Sequence, residues 1–245
     1  MSAAGRPVCL TIGGSDSCSG AGVQADLRVF EAIGVHGCSA ITALTAQNPA
    51  AITRVEPVSL AQLDAEIHAI FDYFDVAVVK TGMLVDAEHV ALVSALLDQL
   101  HDGLLVVDPV MVSSSGRSLL DQGGVDALQQ ALLPLATLVT PNLNEAAVLL
   151  GESITDAESA ATQLSERLGR AVLLKGGHSE GDVLIDLLCD SDGDTRRFSH
   201  ERQPWSELQR HGTGCRLASA IAAHLAAGDL LSEAVARSVT FLQNQ

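Results

Sequence analysis

The chain has 245 residues and 47% hydrophobic content, enough for a large core, and this length suits one α/β domain or two small ones. A formal net charge of −16 argues against nucleic acid or an anionic membrane surface as a partner, and no apolar run reaches the ~18 residues needed to span a bilayer. Five cysteines without a CxxC pairing argue for reduced thiols in a cytoplasm, with neither a zinc site nor a disulfide frame, and residues 1–7 do not read as a signal peptide.

In chain order, residues 8–12 read as a buried strand, 13–22 as a glycine-serine loop and 23–33 as a helix closed by Gly34. The loop keeps neither the Gly-x-x-x-x-Gly-Lys-Ser/Thr pattern of a P-loop nor the Gly-x-Gly-x-x-Gly register of a dinucleotide site. Asp26 falls in the first turns of the helix, where a carboxylate complements the helix dipole. Residues 39–45 read as a strand ending in Ala46-Gln47-Asn48-Pro49, 60–73 as a helix, and 76–79 as a strand ending at Lys80-Thr81-Gly82-Met83. A helix over 87–100 precedes a buried strand over 104–107, which ends at Asp108-Pro109-Val110-Met111 and runs into a small polar loop over 112–116. A helix is expected over 125–133 and a short strand over 138–139 ending at Thr140-Pro141-Asn142. Asn142 and Glu145 have N-cap and N3 spacing for a helix that stops at Gly151. Residues 157–168 read as a helix and 172–174 as a strand ending at Lys175-Gly176-Gly177-His178. Strands over 183–189 and 195–198 flank Asp192-Gly193-Asp194, a hairpin signal. His211-Gly212-Thr213-Gly214-Cys215-Arg216 reads as a glycine-loosened turn feeding a helix over 217–227, with Gly228 just past its end, and 233–242 as a last helix.

This alternation predicts an α/β fold, a mostly parallel central sheet with helices on both faces. No repeat, low-complexity tract or linker divides the chain, so 1–245 reads as a single domain. Ligands of such sheets bind beyond the carboxyl ends of the strands, and the polar groups collect there: Gly14, Asp16, Gln47, Asn48, Lys80, Asp108, Asn142, Glu145 and Lys175. The only two lysines, Lys80 and Lys175, each follow a buried-looking apolar run. Backbone N–H groups converging at 212–215, backed by a helix dipole, suit a phosphate or a charge that develops during reaction. A thiol in that first turn is expected to have a lowered pKa, and Cys215 is the titratable side chain there that could take a proton from an acceptor hydroxyl. Asp108 and Glu145, near a strand-end lysine and an anion-binding helix start, fit a nucleoside triphosphate with Mg²⁺, which prefers a few carboxylates, waters and phosphates. Glu145 can cap its helix and serve the metal at once. Phosphoryl transfer asks for positioning and charge neutralisation more than for covalent chemistry.

Taken together and in order, Thr11 to Asp16, Ser19 to Asp26, Gly37 to Asn48, Lys80 to Leu84, Asp108 to Met111, Thr140 to Ala146, Lys175 to His178 and His211 to Cys215 resemble the bacterial hydroxymethylpyrimidine/phosphomethylpyrimidine kinases of the ribokinase superfamily. The resemblance implies a ribokinase-like fold and a cytoplasmic, commonly dimeric enzyme of thiamine biosynthesis. Its substrates would be 4-amino-5-hydroxymethyl-2-methylpyrimidine and then its monophosphate, with ATP and Mg²⁺. It implies pyrimidine contacts from Gly14, Asp26, Gln47, Met83 and Val110, with Gln47 bonding the ring edge and Met83 and Val110 packing the ring. It further implies an anion hole and base at Gly212, Thr213, Gly214 and Cys215, nucleotide contacts from Lys175, Asn142 and Thr213, and metal work at Asp108 and Glu145. The chain departs from the family at Ser17-Cys18-Ser19, where Pro-Ser-Gly is usual, at Ser114, where many have lysine, at Arg216, where relatives carry Thr or Ser, and at Gln245, short of a usual Gly-Pro tail. Arg216 either supplies phosphate charge or faces solvent. Two other readings stay open: a pyridoxal kinase of the cysteine-containing type, and a catalytically impaired pyrimidine-binding regulator.

Overall fold

Strand residues that alternate between two apolar cores explain why the sequence shows continuous hydrophobic runs rather than a polar-apolar alternation. In β1 (Val8–Asp16), Val8, Leu10 and Ile12 enter one core and Cys9 the other. The remaining strands of this computed structural model, which describes residues 5–113, 116–176 and 182–244, are β2 (His36–Asn48), β3 (Ala51–Pro57), β4 (Val76–Thr81), β5 (Leu104–Val107), β6 (Leu138–Val139), β7 (Ala171–Leu174), β8 (Val183–Cys189) and β9 (Thr195–Glu201). Ser114, Gly177 and His178 lie outside the described residues. The strands form one sheet in the order β3-β2-β1-β4-β5-β6-β7-β8-β9. The central pairings from β2 through β7 are parallel, whereas β3 pairs antiparallel with β2 at one edge, and β8 with β7 and β9 with β8 at the other. Strand order reverses at β1, which has β2 on one side and β4 on the other. A crevice opens at such a reversal.

The helices are α1 (Gly22–Ile33), α2 (Leu60–Phe71), α3 (Ala87–Leu100), α4 (Gln122–Ala127), α5 (Leu143–Leu150), α6 (Ala157–Leu168), α7 (Glu207–Arg210), α8 (Thr213–Ala226) and α9 (Leu231–Gln243). Apolar residues of α2 through α6 cover one face of the sheet, and those of α1, α8 and α9 cover the other. Side-chain caps start several of them: Ser59, Asp86, Asp121 and Asp156 each accept from a backbone N–H three residues on. The expected capping box of Asn142 and Glu145 is present, and Gly34 and Gly151 end their helices in the left-handed conformation. Among the described residues, no helix is long and apolar enough to cross a membrane.

Four expectations need correction. The strand expected over 8–12 runs on through Asp16, because a register shift between Gly13 and Ser15 lets the glycine-rich segment keep pairing with β2. The edge strand β3 is absent from the sequence reading, since its Thr53, Arg54 and Glu56 are exposed and leave no apolar alternation. The helix expected over 125–133 is a short α-helix followed by a π turn at Leu128–Leu132 and a 3₁₀ turn at Leu133–Leu135 that carries Pro134. The glycine-loosened turn ahead of residue 217 is itself helical: α8 starts at Thr213, with Gly212 as its N-cap.

Candidate active site

Most of the residues singled out for a site line one cleft of about 1130 Å³ at the carboxyl ends of the parallel strands, whereas Asp16 and Asn48 lie outside its lining. Gly14, Asp26, Gln47, Met83 and Val110 lie in it together with Asp108, Asn142, Glu145, Lys175 and the run from Gly212 to Cys215. Each arrives by a local device. A register shift between Ala46 and Gln47 turns the end of β2, and the Ser17 hydroxyl bonds both the Gln47 carbonyl and its N–H at 2.9 Å. Met83 follows β4, its carbonyl accepting from the buried Thr42 hydroxyl at 2.7 Å, and its sulfur packs over Gly14. Gly212 has φ +79°, and a Cβ there would come within 2.1 Å of the Gly20 carbonyl, so only glycine fits this N-cap. The first N–H groups of α8, with no partner inside the helix, open toward the cleft.

Asp108, Lys175 and Glu145 meet at one end of the cleft. Asp108 is buried and accepts from Lys175 Nζ at 2.7 Å and from the Thr140 hydroxyl at 3.1 Å. Lys175 Nζ lies 4.0 Å from Glu145 Oε2 and 3.3 Å from the point where a Cβ on Gly214 would sit, so the ammonium reaches the first turn of α8. Burial pulls Lys175 down, but the Asp108 and Glu145 charges outweigh it, and the group stays a cation. Mg²⁺ fits this donor set, because Lys175 and Thr140 both bond Asp108 Oδ1, and one carboxylate oxygen plus phosphate oxygens and water is an ordinary environment for the ion. Asp108 would hold it directly. Glu145 is engaged by the backbone N–H groups of Asn142 and Met111, so it would act through water.

Burial, only partly offset by Lys175 and reinforced by Asp108, pushes Glu145 up to about 7. A raised acid holds a proton in the folded chain that the unfolded chain has released, so this group's stability contribution is lost as pH rises from about 4.5 to about 7. Glu145→Gln keeps the capping acceptor and removes the titration. Its melting temperature should exceed the parent's by roughly 3 °C near pH 8, and scanning calorimetry should show the gap closing toward pH 5.

The expected lowering of the Cys215 thiol is overturned. Desolvation raises it, Lys80 lowers it only in part, and Asp108 and Asp26 raise it further, leaving it at about 11. The helix N-terminus is outweighed first by burial and then by the two nearby carboxylates. Asp26 sits beneath the floor rather than on its surface. It accepts from Thr11 Oγ1 at 2.6 Å, Ser219 Oγ at 2.6 Å and Lys80 Nζ at 2.9 Å. Lys80 is 1% exposed, and the Asp26 charge helps hold it above its ordinary pKa against burial. Arg216 neither lines the cleft nor stands free in solvent: it donates to the Gln209 carbonyl and lies beside Arg28.

Sequence reasoning missed the far end of the cleft. There Asp186 accepts the Gly176 N–H at 2.7 Å and pairs with His200 at 3.2 Å, while Trp205, Arg202 and Arg210 complete the wall. The hydrogen bond to Asp186 is the main reason His200 sits above its ordinary pKa. These residues come from a hairpin and the segment after it, where no strand-end pattern draws the eye.

A family profile described as phosphomethylpyrimidine kinase matches residues 16–245. The chain belongs to the phosphomethylpyrimidine kinase family. It is 44% identical over 245 residues to the hydroxymethylpyrimidine/phosphomethylpyrimidine kinase of Rhizobium meliloti, covering 96% of this chain and 88% of that one. It is also 44% identical to the thiamine biosynthesis bifunctional protein of Geobacter sulfurreducens, covering 97% of this chain but only 48% of that protein, so it spans about half that relative's length. The crystal structure of the phosphomethylpyrimidine kinase of Clostridium difficile superposes with a TM-score of 0.85 at 36% identity, covering 98% of this chain and 99% of that one. The pyridoxal kinase of Staphylococcus aureus in complex with AMP-PCP and pyridoxal gives 0.86 at 31% identity, covering 97% and 87%. The fold is thus that of the phosphomethylpyrimidine and pyridoxal kinases. The chain is a kinase, and its family's place is thiamine biosynthesis.

Proposed function

We propose that this chain, acting as one domain, transfers the γ-phosphoryl of ATP to the hydroxymethyl group of 4-amino-5-hydroxymethyl-2-methylpyrimidine and then to the resulting monophosphate. The observation that carries this reading is the Lys175–Asp108 pair, 2.7 Å apart, set against the amide-lined first turn of α8. A cation, a carboxylate and converging N–H groups at one point are what a moving phosphoryl needs. Mg²⁺, held by Asp108 and through water by Glu145, would neutralise phosphate charge. Lys175, Asn142 and Thr213 bind the nucleotide phosphates, and the amides of Gly212, Thr213, Gly214 and Cys215 receive the transferred group. Gln47 bonds the aminopyrimidine edge, Met83 and Val110 sandwich the ring above Gly14, and Asp26 acts from below through Lys80. The cytoplasm and a homodimer complete the proposal.

The deciding measurement is ADP release with purified protein, ATP and Mg²⁺ across pyrimidine and pyridoxal alcohols. The reading fails if the pyrimidine binds and is not phosphorylated. The likeness to pyridoxal kinases makes pyridoxal the natural competitor, and the ratio of kcat/KM values ranks the two.

Two substitutions test the roles. Gln47→Ala should raise the pyrimidine KM about tenfold, the worth of one lost ring-edge hydrogen bond, with kcat nearly kept. An unchanged KM would remove Gln47 from the ring edge. Cys215, its thiol kept protonated by burial, would position the acceptor hydroxyl beside the anion hole with its sulfur accepting that O–H, and as the new O–P bond forms and the bond to ADP breaks the proton passes to a phosphoryl oxygen and on to solvent. Cys215→Ala should therefore lower kcat about 10²-fold, with ring binding by calorimetry intact. Retained turnover would clear the thiol of any part in the chemistry.

A further inference from the structure

Three side chains of different chemistry meet where the end of β1 touches the start of α8. His211 Nε2 lies 2.9 Å from Asp16 Oδ2, Cys18 Sγ lies 3.5 Å from the same oxygen, and the three donor atoms all fall within 4.8 Å of one another. We propose that Asp16, Cys18 and His211 form a binding site for a divalent cation of the zinc class, joining the first loop to the segment that precedes the anion hole.

The donor set selects the ion. Magnesium and calcium take oxygen ligands, whereas sulfur, imidazole and carboxylate together suit Zn²⁺ or Co²⁺. Tetrahedral bonds of ~2.0–2.3 Å place ligand atoms ~3.3–3.8 Å apart. The Cys18–Asp16 separation of 3.5 Å already fits, and the Asp16–His211 pair at 2.9 Å needs to open by only a few tenths.

The ligands are also held. Asp16 Oδ1 accepts the Cys18 N–H and Oδ2 the Ala21 N–H, both at 2.8 Å, which fixes the carboxylate's direction. The His211 ring occupies space that only glycine leaves: a Cβ on Gly20 would come within 2.2 Å of its Cδ2. Asp16 and His211 are buried while Cys18 is partly exposed, which gives an ion a path in.

On binding, the Cys18 thiol releases its proton to solvent and its sulfur coordinates as thiolate. His211 coordinates through neutral Nε2, exchanging its contact with Asp16 for the metal bond, and water takes the remaining position. No oxidation state changes. The cysteine belongs to the Ser17-Cys18-Ser19 departure from the family pattern, and the donors come from segments nearly two hundred residues apart. That separation is why cysteine spacing alone argued against a zinc site.

The test is a Co²⁺ titration of the metal-stripped full chain, without nucleotide or pyrimidine. One equivalent should bring up thiolate-to-cobalt charge-transfer absorption, which Cys18→Ser abolishes and Cys215→Ser retains. Zn²⁺ affinity, by competition with a chromophoric chelator, should fall at least about tenfold in Cys18→Ser and in Asp16→Asn. Circular dichroism checks that the variants are folded. The proposal is overturned if the parent shows no thiolate band, or if the band survives Cys18→Ser. Because no substrate is present, that failure would leave the kinase reading untouched, and a failed kinase assay would leave this site standing.

Discussion

An Asp108→Asn enzyme should turn over at least about 10³-fold more slowly than its parent in a coupled ADP-release assay, while binding the pyrimidine nearly as well. Asparagine keeps the volume and can still accept from the Thr140 hydroxyl, which stands 3.1 Å away, so the fold is spared. The charge is what goes. Without it Lys175 loses the partner at 2.7 Å that fixes its ammonium against α8, and the Mg²⁺ proposed above would lose its one direct carboxylate. Removing a single preorganised electrostatic contact costs about 10²–10³ in kcat, and here two are lost together. The pyrimidine end of the cleft is untouched, so the effect should fall on kcat rather than on ring affinity. A loss of less than tenfold would remove Asp108 from the phosphate machinery.

Lys80→Met should destabilise the fold by about 3–5 kcal/mol, because it strands the buried Asp26 carboxylate without its counter-charge. Both side chains are 1% exposed and 2.9 Å apart. The Thr11 and Ser219 hydroxyls still donate to the carboxylate, but they carry no charge to offset it. At this chain length the loss corresponds to roughly 6–20 °C in Tm. The double variant Lys80→Met/Asp26→Asn should regain more than half of it, since the stranded anion is gone. A single variant that melts with the parent, or a double variant no more stable than the single, would show that the ion pair contributes no such balance.

The layout was legible wherever local chemistry and tertiary context agree. Helices with their own caps, such as the one opened by Asn142 and Glu145, and strands apolar on both sides, such as β5, stand at their expected places. The strand-end residues Gln47, Asp108, Lys175 and Cys215 do share one cleft. What escaped depended on contacts between distant segments. The β1 extension exists because β2 continues alongside it through Thr45. The Cys215 thiol is raised because the folded chain buries it, and Asp108 and Asp26, brought in from other segments, add to the effect, a fact no first-turn argument contains. Asp186 and His200 meet across a hairpin whose side chains follow no strand-end pattern.

The order of synthesis gives the two-sided sheet one more consequence. The apolar face formed by Val78, Val106, Leu138 and Leu173 is covered by α8 and α9, which follow every strand of the sheet along the chain and so emerge from the ribosome after them. Until they emerge, most of the nascent chain carries that face bare. Chaperone dependence and aggregation should therefore concentrate in chains stalled before residue 213, and a truncation there should be insoluble although every strand of the sheet has already been made.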